Sequence, residues 1–363
     1  MFYSQRMRWD SQLLEPPKGE TVKLALFGED AVIRRFNTPE FKGMTFYEVR
    51  SKSIINHVKA NNMGFSWTIN PYRGCSHACS YCFARPTHTY LDLNAGADFE
   101  TKIVVKVNAV ELLRRELRKP SWAGEHIAMG TNTDNYQRAE GRYRLMRGIL
   151  KELNANRNPY SILTKSTLIQ RDLELLAEGA AVTDVSACFS VGTVDEQVWR
   201  KTEPGTPHPL KRLEVLSKLN KAGVPCGILM APILPGISDS PAQLAATVQA
   251  AAKAGAVNIA PLILHLRPGV KEEFLPWLET EYPELLGEYR RMYRGSNAPK
   301  SVAEPIQKAV HALKDRHGPK TGLRHRAPMK QMKAPEPQPE AEQMSLDCHP
   351  PPNGAKAARR RDA

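Results

Sequence analysis

Long apolar runs are missing from this sequence. No stretch approaches the roughly 20 apolar residues of a membrane span, so a helical membrane protein is excluded. The first residues, MFYSQRMRWDSQ, lack the apolar block of a secretory signal. A soluble cytoplasmic protein is therefore expected. Cysteine is scarce, with 6 in 363 residues, and a reducing compartment leaves those thiols unpaired. No internal repeat is visible. Apolar residues at 41% and charged residues at 25% exclude collagen-like, coiled-coil and wholly disordered chains.

Positive charge is plentiful, with a formal net charge of +13. Residues 321–363 hold eight Lys/Arg and five Asp/Glu, so most of the excess lies before them. A basic body fits an anionic partner, such as nucleic acid or a phosphorylated substrate, and equally fits plain solubility charge.

The chain divides by composition. Residues 1–60 read as an N-terminal extension with a strand at Val22–Phe27, a turn, a second run Ala31–Phe36 and a basic polar stretch from Arg50. Residues 61–300 read as the core domain. Between about 65 and 265, apolar runs alternate with amphipathic helix patterns. The runs are Trp67–Tyr72, Ile127–Met129, Tyr160–Leu163, Val185–Val191, Gly227–Ala231 and Val257–Leu262. The helix patterns are Ala109–Arg118, Gly141–Leu153, Leu168–Glu178 stopping at Gly179, Leu210–Ala222 stopping at Gly223, and one opening at Ser240-Pro241 and ending at Gly255. Strands separated by helices pair in parallel through right-handed crossovers. Six strands are too few for the closed eight-stranded barrel. A partial barrel or a doubly wound α/β sheet remains, and both gather functional groups at the C-terminal ends of the strands. Residues 270–318 read as packing helices, with 301–320 the last of them. The Pro-rich segment 321–363, ending in Arg359-Arg360-Arg361, reads as a disordered basic tail.

Three cysteines cluster. Cys75, Cys79 and Cys82 have the spacing Cys-x3-Cys-x2-Cys, just after the first strand. Thiols packed as small hydrophobes need no such spacing, and Ser76, His77 and Ser80 argue against an apolar setting. Zinc can take three thiolates plus His77 or His88, but zinc sites usually pair two Cys-x2-Cys knuckles, and a second pair is missing. An iron–sulfur cluster normally takes four thiolates, so three would leave one iron open to a ligand. The spacing and the missing fourth thiol favour the cluster.

With an aromatic residue before the last cysteine, this segment resembles the signature of the radical S-adenosylmethionine (SAM) superfamily, and within it the spore photoproduct lyase-like group. Further matches are Asn132-Thr133-Asp134, Leu163-Thr164-Lys165, Phe189-Ser190-Val191, Glu203-Pro204-Gly205-Thr206 and Ala231-Pro232-Ile233. The resemblance implies a partial (β/α)6 barrel. It implies that Cys75, Cys79 and Cys82 hold three irons of a [4Fe–4S] cluster whose fourth iron chelates SAM. Reductive cleavage of SAM then yields a 5′-deoxyadenosyl radical that abstracts hydrogen from substrate. It also implies an electron donor such as flavodoxin or ferredoxin. Cofactor-binding residues carried over are Tyr81 beside the cluster, Lys165 toward the SAM carboxylate, Thr133 and Ser190 as strand-end hydroxyls, and Ala231 as a small residue facing adenine. Lys165 also reads as a surface lysine, the hydroxyls as turn caps, and Ala231 as simple packing.

Two positions depart from the group. Thr131 stands where a hydrogen-donor cysteine is expected, and Phe83 where a relay tyrosine is expected. The substrate is therefore left open. A DNA-lesion lyase and a zinc-containing nucleic-acid-binding protein are the alternatives. His265-Leu266-Arg267-Pro268-Gly269 faces the substrate opening, where Arg267 reads as an anion contact or as a helix-entry turn. Cys188 and Cys226 read as core thiols.

Overall fold

The protein is described here from a computed structural model, which covers residues 21–23, 30–58 and 64–318. Six strands lie side by side in chain order: β1 (Trp67–Ile69), β2 (Ile127–Met129), β3 (Tyr160–Thr164), β4 (Val185–Ser190), β5 (Cys226–Ile233) and β6 (Ile259–Ile263). Every neighbouring pair among them is parallel. Parallel neighbours need long crossovers. The crossovers carry α1 (Ala109–Leu117), α2 (Leu145–Ala155), α3 (Leu173–Val182), α4 (Pro209–Lys221) and α5 (Pro241–Lys253) in turn. Among the described residues strand β6 pairs only with β5, and the free edge of β1 is taken by the antiparallel strand Ile55–His57. The sheet therefore stays open, as a partial (β/α)6 barrel.

Strand periodicity decides what each face does. Ile162, Ala187, Phe189, Ile228 and Met230 are buried among Ile149, Leu150, Leu176, Leu216 and Val248 of the helices. The alternate residues Leu163, Ser190, Leu229 and Ala231 line a cleft on the other face. The helix signals act as expected at α5, where Ser240 and Gln243 form a capping box.

Three elements differ from the sequence reading. The pattern Gly141–Leu153 is two helices, Arg138–Tyr143 and α2, broken at Arg144, whose φ is +52°. The segment from Leu168 opens as a 3-10 turn, Thr167–Asp172, and α3 runs past Gly179 to Val182. Gly179 is not a stop. It is buried, and a Cβ there would meet the Asn154 side chain and the Tyr160 hydroxyl. The third is the boundary near residue 60. Strand Thr45–Val49 pairs in parallel with Lys102–Lys106, within a second sheet that also holds Thr21–Lys23, Asp30–Arg34 and Tyr72–Arg73. The expected strand at Val22–Phe27 is described only at Thr21–Lys23. The N-terminal segment thus shares a sheet with the strand that leads into the cysteine loop.

Helices α6 (Lys271–Glu281) and α7 (Lys300–His317) follow the barrel. Phe274 and Leu278 of α6 are buried, and α7 buries Ile306 and Val310. Among the described residues no helix is long and apolar enough to cross a membrane. The expected tail and Cys348 lie outside the described residues.

Gly130, at the end of β2, has φ +89°, and a Cβ there would run into the Leu163 carbonyl of β3. Neither the backbone angle nor the strand can yield cheaply. Gly130→Ala should destabilise the chain by about 2–4 kcal/mol in urea titration. A loss within about 0.5 kcal/mol would show that β2 and β3 are not held at this spacing.

Candidate active site

The cysteine loop is built by backbone bonds and clamped from three sides. The Cys75 amide donates to the Phe99 carbonyl at 2.9 Å and the Cys82 amide to that of Cys79 at 3.2 Å. The Arg85 guanidinium donates to the Cys79 carbonyl at 3.2 and 3.0 Å and pairs with Glu100. From the β2 side, Thr133 Oγ1 and Gln137 Nε2 donate to the Gly74 carbonyl at 2.7 and 2.8 Å, and Gln137 Oε1 accepts the Ser76 amide at 3.0 Å. From the β4 side, the Ser80 amide donates to the Thr202 carbonyl, and Gly205 to that of His77, both at 3.0 Å.

Cys75, Cys79 and Cys82 line one cleft and are unpaired thiols. Burial pushes the Cys75 thiol up to about 12, and raises Cys79 and Cys82 as well. Three desolvated thiols, two of which also sense the charge of a neighbouring cysteine, suit a bound cation that stabilises their thiolates. Among the described residues, no three Cys, His, Asp or Glu side chains converge on a single ion-sized point. A multi-iron cluster does not require that convergence, because it takes each thiolate on a different iron. The donor set fits such a cluster.

The strand ends supply the rest. At the end of β3, the Lys165 amide donates to Asp134 Oδ2 at 2.6 Å and Thr164 Oγ1 to Asp134 Oδ1 at 2.7 Å. His77 Nδ1 lies 3.4 Å from the same carboxylate, and burial holds its imidazole pKa below the usual value. Lys165 Nζ donates to Ser190 Oγ at 2.6 Å, and Ser190 Oγ donates to the Ala231 carbonyl at 2.8 Å. The same ammonium stands 5.6 Å from the Tyr81 ring centroid and 3.9 Å from Glu203 Oε1. Glu203 accepts the Tyr81 hydroxyl and pairs with Arg212, which is 0% exposed. Arg212 also donates to the Ser190 carbonyl at 2.8 Å and the Pro207 carbonyl at 2.9 Å. Burial pushes the Glu203 carboxyl up, but Arg212, Lys165 and the Tyr81 hydroxyl outweigh it and hold the carboxyl below the usual range.

The eight residues expected to hold the cluster or SAM all line this cleft: Cys75, Cys79, Tyr81, Cys82, Thr133, Lys165, Ser190 and Ala231. Its empty volume is about 890 Å³, mouth included, which is room for a small molecule beside the thiols. The Thr133 hydroxyl is committed to Gly74, so it holds the loop. Thr131 and Phe83 also line the cleft. Cys226 is buried in the core and Cys188 is half-buried. Sequence reasoning missed Glu203, Arg212, Asp134 and Gln137 as parts of the site, and weighed His77 only as a zinc ligand. Glu203 sat in a recognised motif without a role. Arg212 looked like one more charge on an amphipathic helix.

Removing one member of a buried ion pair leaves the other uncompensated, at about 3–5 kcal/mol. Arg212→Met should cost that much in urea titration, and adding Glu203→Gln should recover part of it. The lowered Glu203 pKa contributes stability above the usual carboxylate range that is lost as pH falls through it. The gap between wild type and Glu203→Gln should therefore narrow in acid. Equal costs for the single and double variants would dissolve the pair's role.

Residues 69–248 match the family model described as the radical SAM superfamily. An uncharacterised protein of Mycobacterium tuberculosis is 47% identical over 311 residues, covering 85% of this chain and 92% of that protein. An uncharacterised protein of Methanocaldococcus jannaschii is 29% identical over 192 residues, covering 53% of this chain and 69% of its own length. Spore photoproduct lyase complexed with dinucleoside spore photoproduct superposes with a TM-score of 0.57 at 14% identity, covering 76% of this chain and 80% of that one. A variant of that lyase with bound AdoMet and the same dinucleoside gives 0.57 at 16% identity, over 75% and 79%. These structures share the fold. The family model identifies this chain as an enzyme of the radical SAM superfamily, to which it belongs, and the partial barrel agrees with that fold.

Proposed function

We propose that Cys75, Cys79 and Cys82 ligate three irons of a [4Fe–4S] cluster, and that Tyr81, Lys165, Ser190 and Ala231 bind SAM beside it. The convergence of the cysteine loop with the ends of β3, β4 and β5 on one cleft carries this reading. When bound, the cluster and SAM supply one-electron reductive cleavage and removal of a hydrogen atom from substrate.

The chain's own residues prepare that chemistry. Lys165 presents an ammonium at the cleft wall, 3.9 Å from Glu203, and because that carboxylate is shared with Arg212 and the Tyr81 hydroxyl, the lysine has charge to offer a ligand carboxylate. Ser190 fixes the ammonium's direction. Ala231 leaves room for a flat ring. Thr133 acts through Gly74, holding the loop in register. The apolar walls at Leu163, Leu229 and Ile263 exclude water from a reactive substrate. A one-electron protein donor of the flavodoxin or ferredoxin kind supplies the reductant, and the net charge of +13 fits an anionic substrate or a nucleic acid.

Cys75→Ala, Cys79→Ala and Cys82→Ala should each abolish stoichiometric iron and sulfide after anaerobic reconstitution, while Cys188→Ala should retain both. Lys165→Ala should keep the cluster and weaken SAM binding by roughly 2–5 kcal/mol, the range for removing one partner of a buried charge pair. A full cluster in Cys79→Ala, or unchanged SAM affinity in Lys165→Ala, would overturn the assignment.

Thr131 and Phe83 stand at the cleft where the lyase-like resemblance implies a thiol and a phenol. An alcohol O–H bond resists a carbon radical, and a phenyl ring has no phenolic hydrogen to give. Anaerobic incubation with reductant, SAM and an oligonucleotide bearing spore photoproduct should give 5′-deoxyadenosine without catalytic recovery of thymine. Turnover to two thymines, dependent on Cys79, would establish the lyase reading instead.

A further inference from the structure

Beyond β6 the chain makes a fixed turn over the cysteine loop. Leu266 is fully buried and its amide donates to the Ser296 carbonyl at 2.8 Å. The Arg267 carbonyl accepts from the amides of Val270 and Lys271 at 3.0 and 3.1 Å, opening α6. Gly269 packs so closely that a Cβ there would sit 2.7 Å from Pro86 Cγ of the segment following the last cysteine. The Arg267 backbone is the helix-entry turn that the sequence suggested, which leaves its side chain out of that turn.

That side chain is an unspent cation. The guanidinium lies 6.0 Å from the Phe83 ring centroid. Its Nε is shielded from water and has no hydrogen-bond partner. No ion pair involves Arg267 among the described residues, and nearby Glu272 gives a carboxylate oxygen to the Gly269 amide at 2.5 Å. A donor that has lost water without gaining a partner awaits one. Beside it the cleft mouth is apolar and open, with Phe83 47% exposed and Leu262 50% exposed. Both line the same cleft as the thiols, as does His265, whose Nδ1 is held 2.8 Å from Asn297 Oδ1. An arginine already lying on an aromatic ring is a ready platform for a flat ligand carrying an oxyanion.

We infer that Arg267 anchors an oxyanion of the substrate, phosphate or carboxylate, while Phe83 and Leu262 receive an adjoining flat apolar moiety. This rests on the proposed function of the cleft and adds the substrate's chemical class and the residue that selects it. Anchored at the mouth, the substrate has its apolar part directed inward, toward Lys165 and the thiols. The chain's positive charge aids the encounter, and the single guanidinium fixes the register.

The test uses the full chain, anaerobic, cluster-replete and saturated with SAM. Equilibrium dialysis compares 1-naphthyl phosphate, 1-naphthoate, neutral 1-naphthol and inorganic phosphate. The two planar anions should bind about tenfold or more tightly than naphthol and than bare phosphate, as a charge-assisted contact provides. The stronger of the two identifies the oxyanion. Arg267→Gln should erase the preference over naphthol, Arg267→Lys should restore part of it, and Phe83→Ala should weaken all planar probes together. SAM affinity, measured on the same preparations, should stay unchanged in Arg267→Gln. Equal binding of naphthol and the planar anions by the wild type, or an undiminished preference in Arg267→Gln, would overturn the anchor. Failure of the wild type to bind SAM would instead overturn the reading of the cleft.

Discussion

The carboxylate of Glu203 is the point on which the site turns. It is 5% exposed, and an isolated charge there would be prohibitive. Arg212 rises from α4 to meet it, and Tyr81 reaches it from the cysteine loop. One buried group therefore fastens three separate parts of the chain: the loop, the segment after β4, and the helix that leads to β5. The same pairing sets the charge balance of the cleft. With Glu203 matched to Arg212, the Lys165 ammonium donates to the Ser190 hydroxyl and stands 3.9 Å from the shared Glu203 carboxylate, beside the Tyr81 ring. Such a cation suits an incoming carboxylate.

A second carboxylate does the matching work on the other side. Asp134, after β2, receives the Lys165 amide and the Thr164 hydroxyl from β3 and faces His77 of the loop. Together Asp134 and Glu203 hold the loop from both flanks, and Gln137 and Thr133 close the remaining gap at Gly74. The loop is thus held chiefly by backbone and flanking side chains, and the polar contacts of the sulfurs themselves are with backbone groups, as Cys79 Sγ lies 4.0 Å from the His77 carbonyl. The mouth follows different rules: Phe83 and Leu262 are half-exposed there, and the Arg267 guanidinium, without an ion-pair partner among the described residues, lies 6.0 Å from the Phe83 ring centroid.

The barrel was legible because each of its strands is a short apolar run between helix patterns with clear caps and stops. Ile127–Met129 was bounded correctly, and Ser240-Pro241 opened its helix as read. The cysteine spacing and the strand-end residues pointed to one cleft because strand ends in parallel sheets face the same way. Glu203 and Arg212 were hidden by the absence of local signal. Their burial is a contact between segments nine residues apart that only the fold completes. Gly179 misled because a glycine buried for close approach and a glycine that ends a helix look alike in sequence. The break at Arg144 was hidden likewise, since an arginine at positive φ carries no pattern of its own. The link between the N-terminal segment and residues 102–106 is long-range pairing, which periodicity does not encode.

The central claim is that this cleft holds a cluster with one iron open to SAM. Low-temperature electron paramagnetic resonance of the reconstituted, dithionite-reduced full chain tests it most directly. The account predicts a single reduced [4Fe–4S] signal whose g values shift when SAM is added. A colourless protein that binds zinc through the three thiols and gives no iron–sulfur signal would contradict it, as would a cluster signal that SAM leaves unmoved.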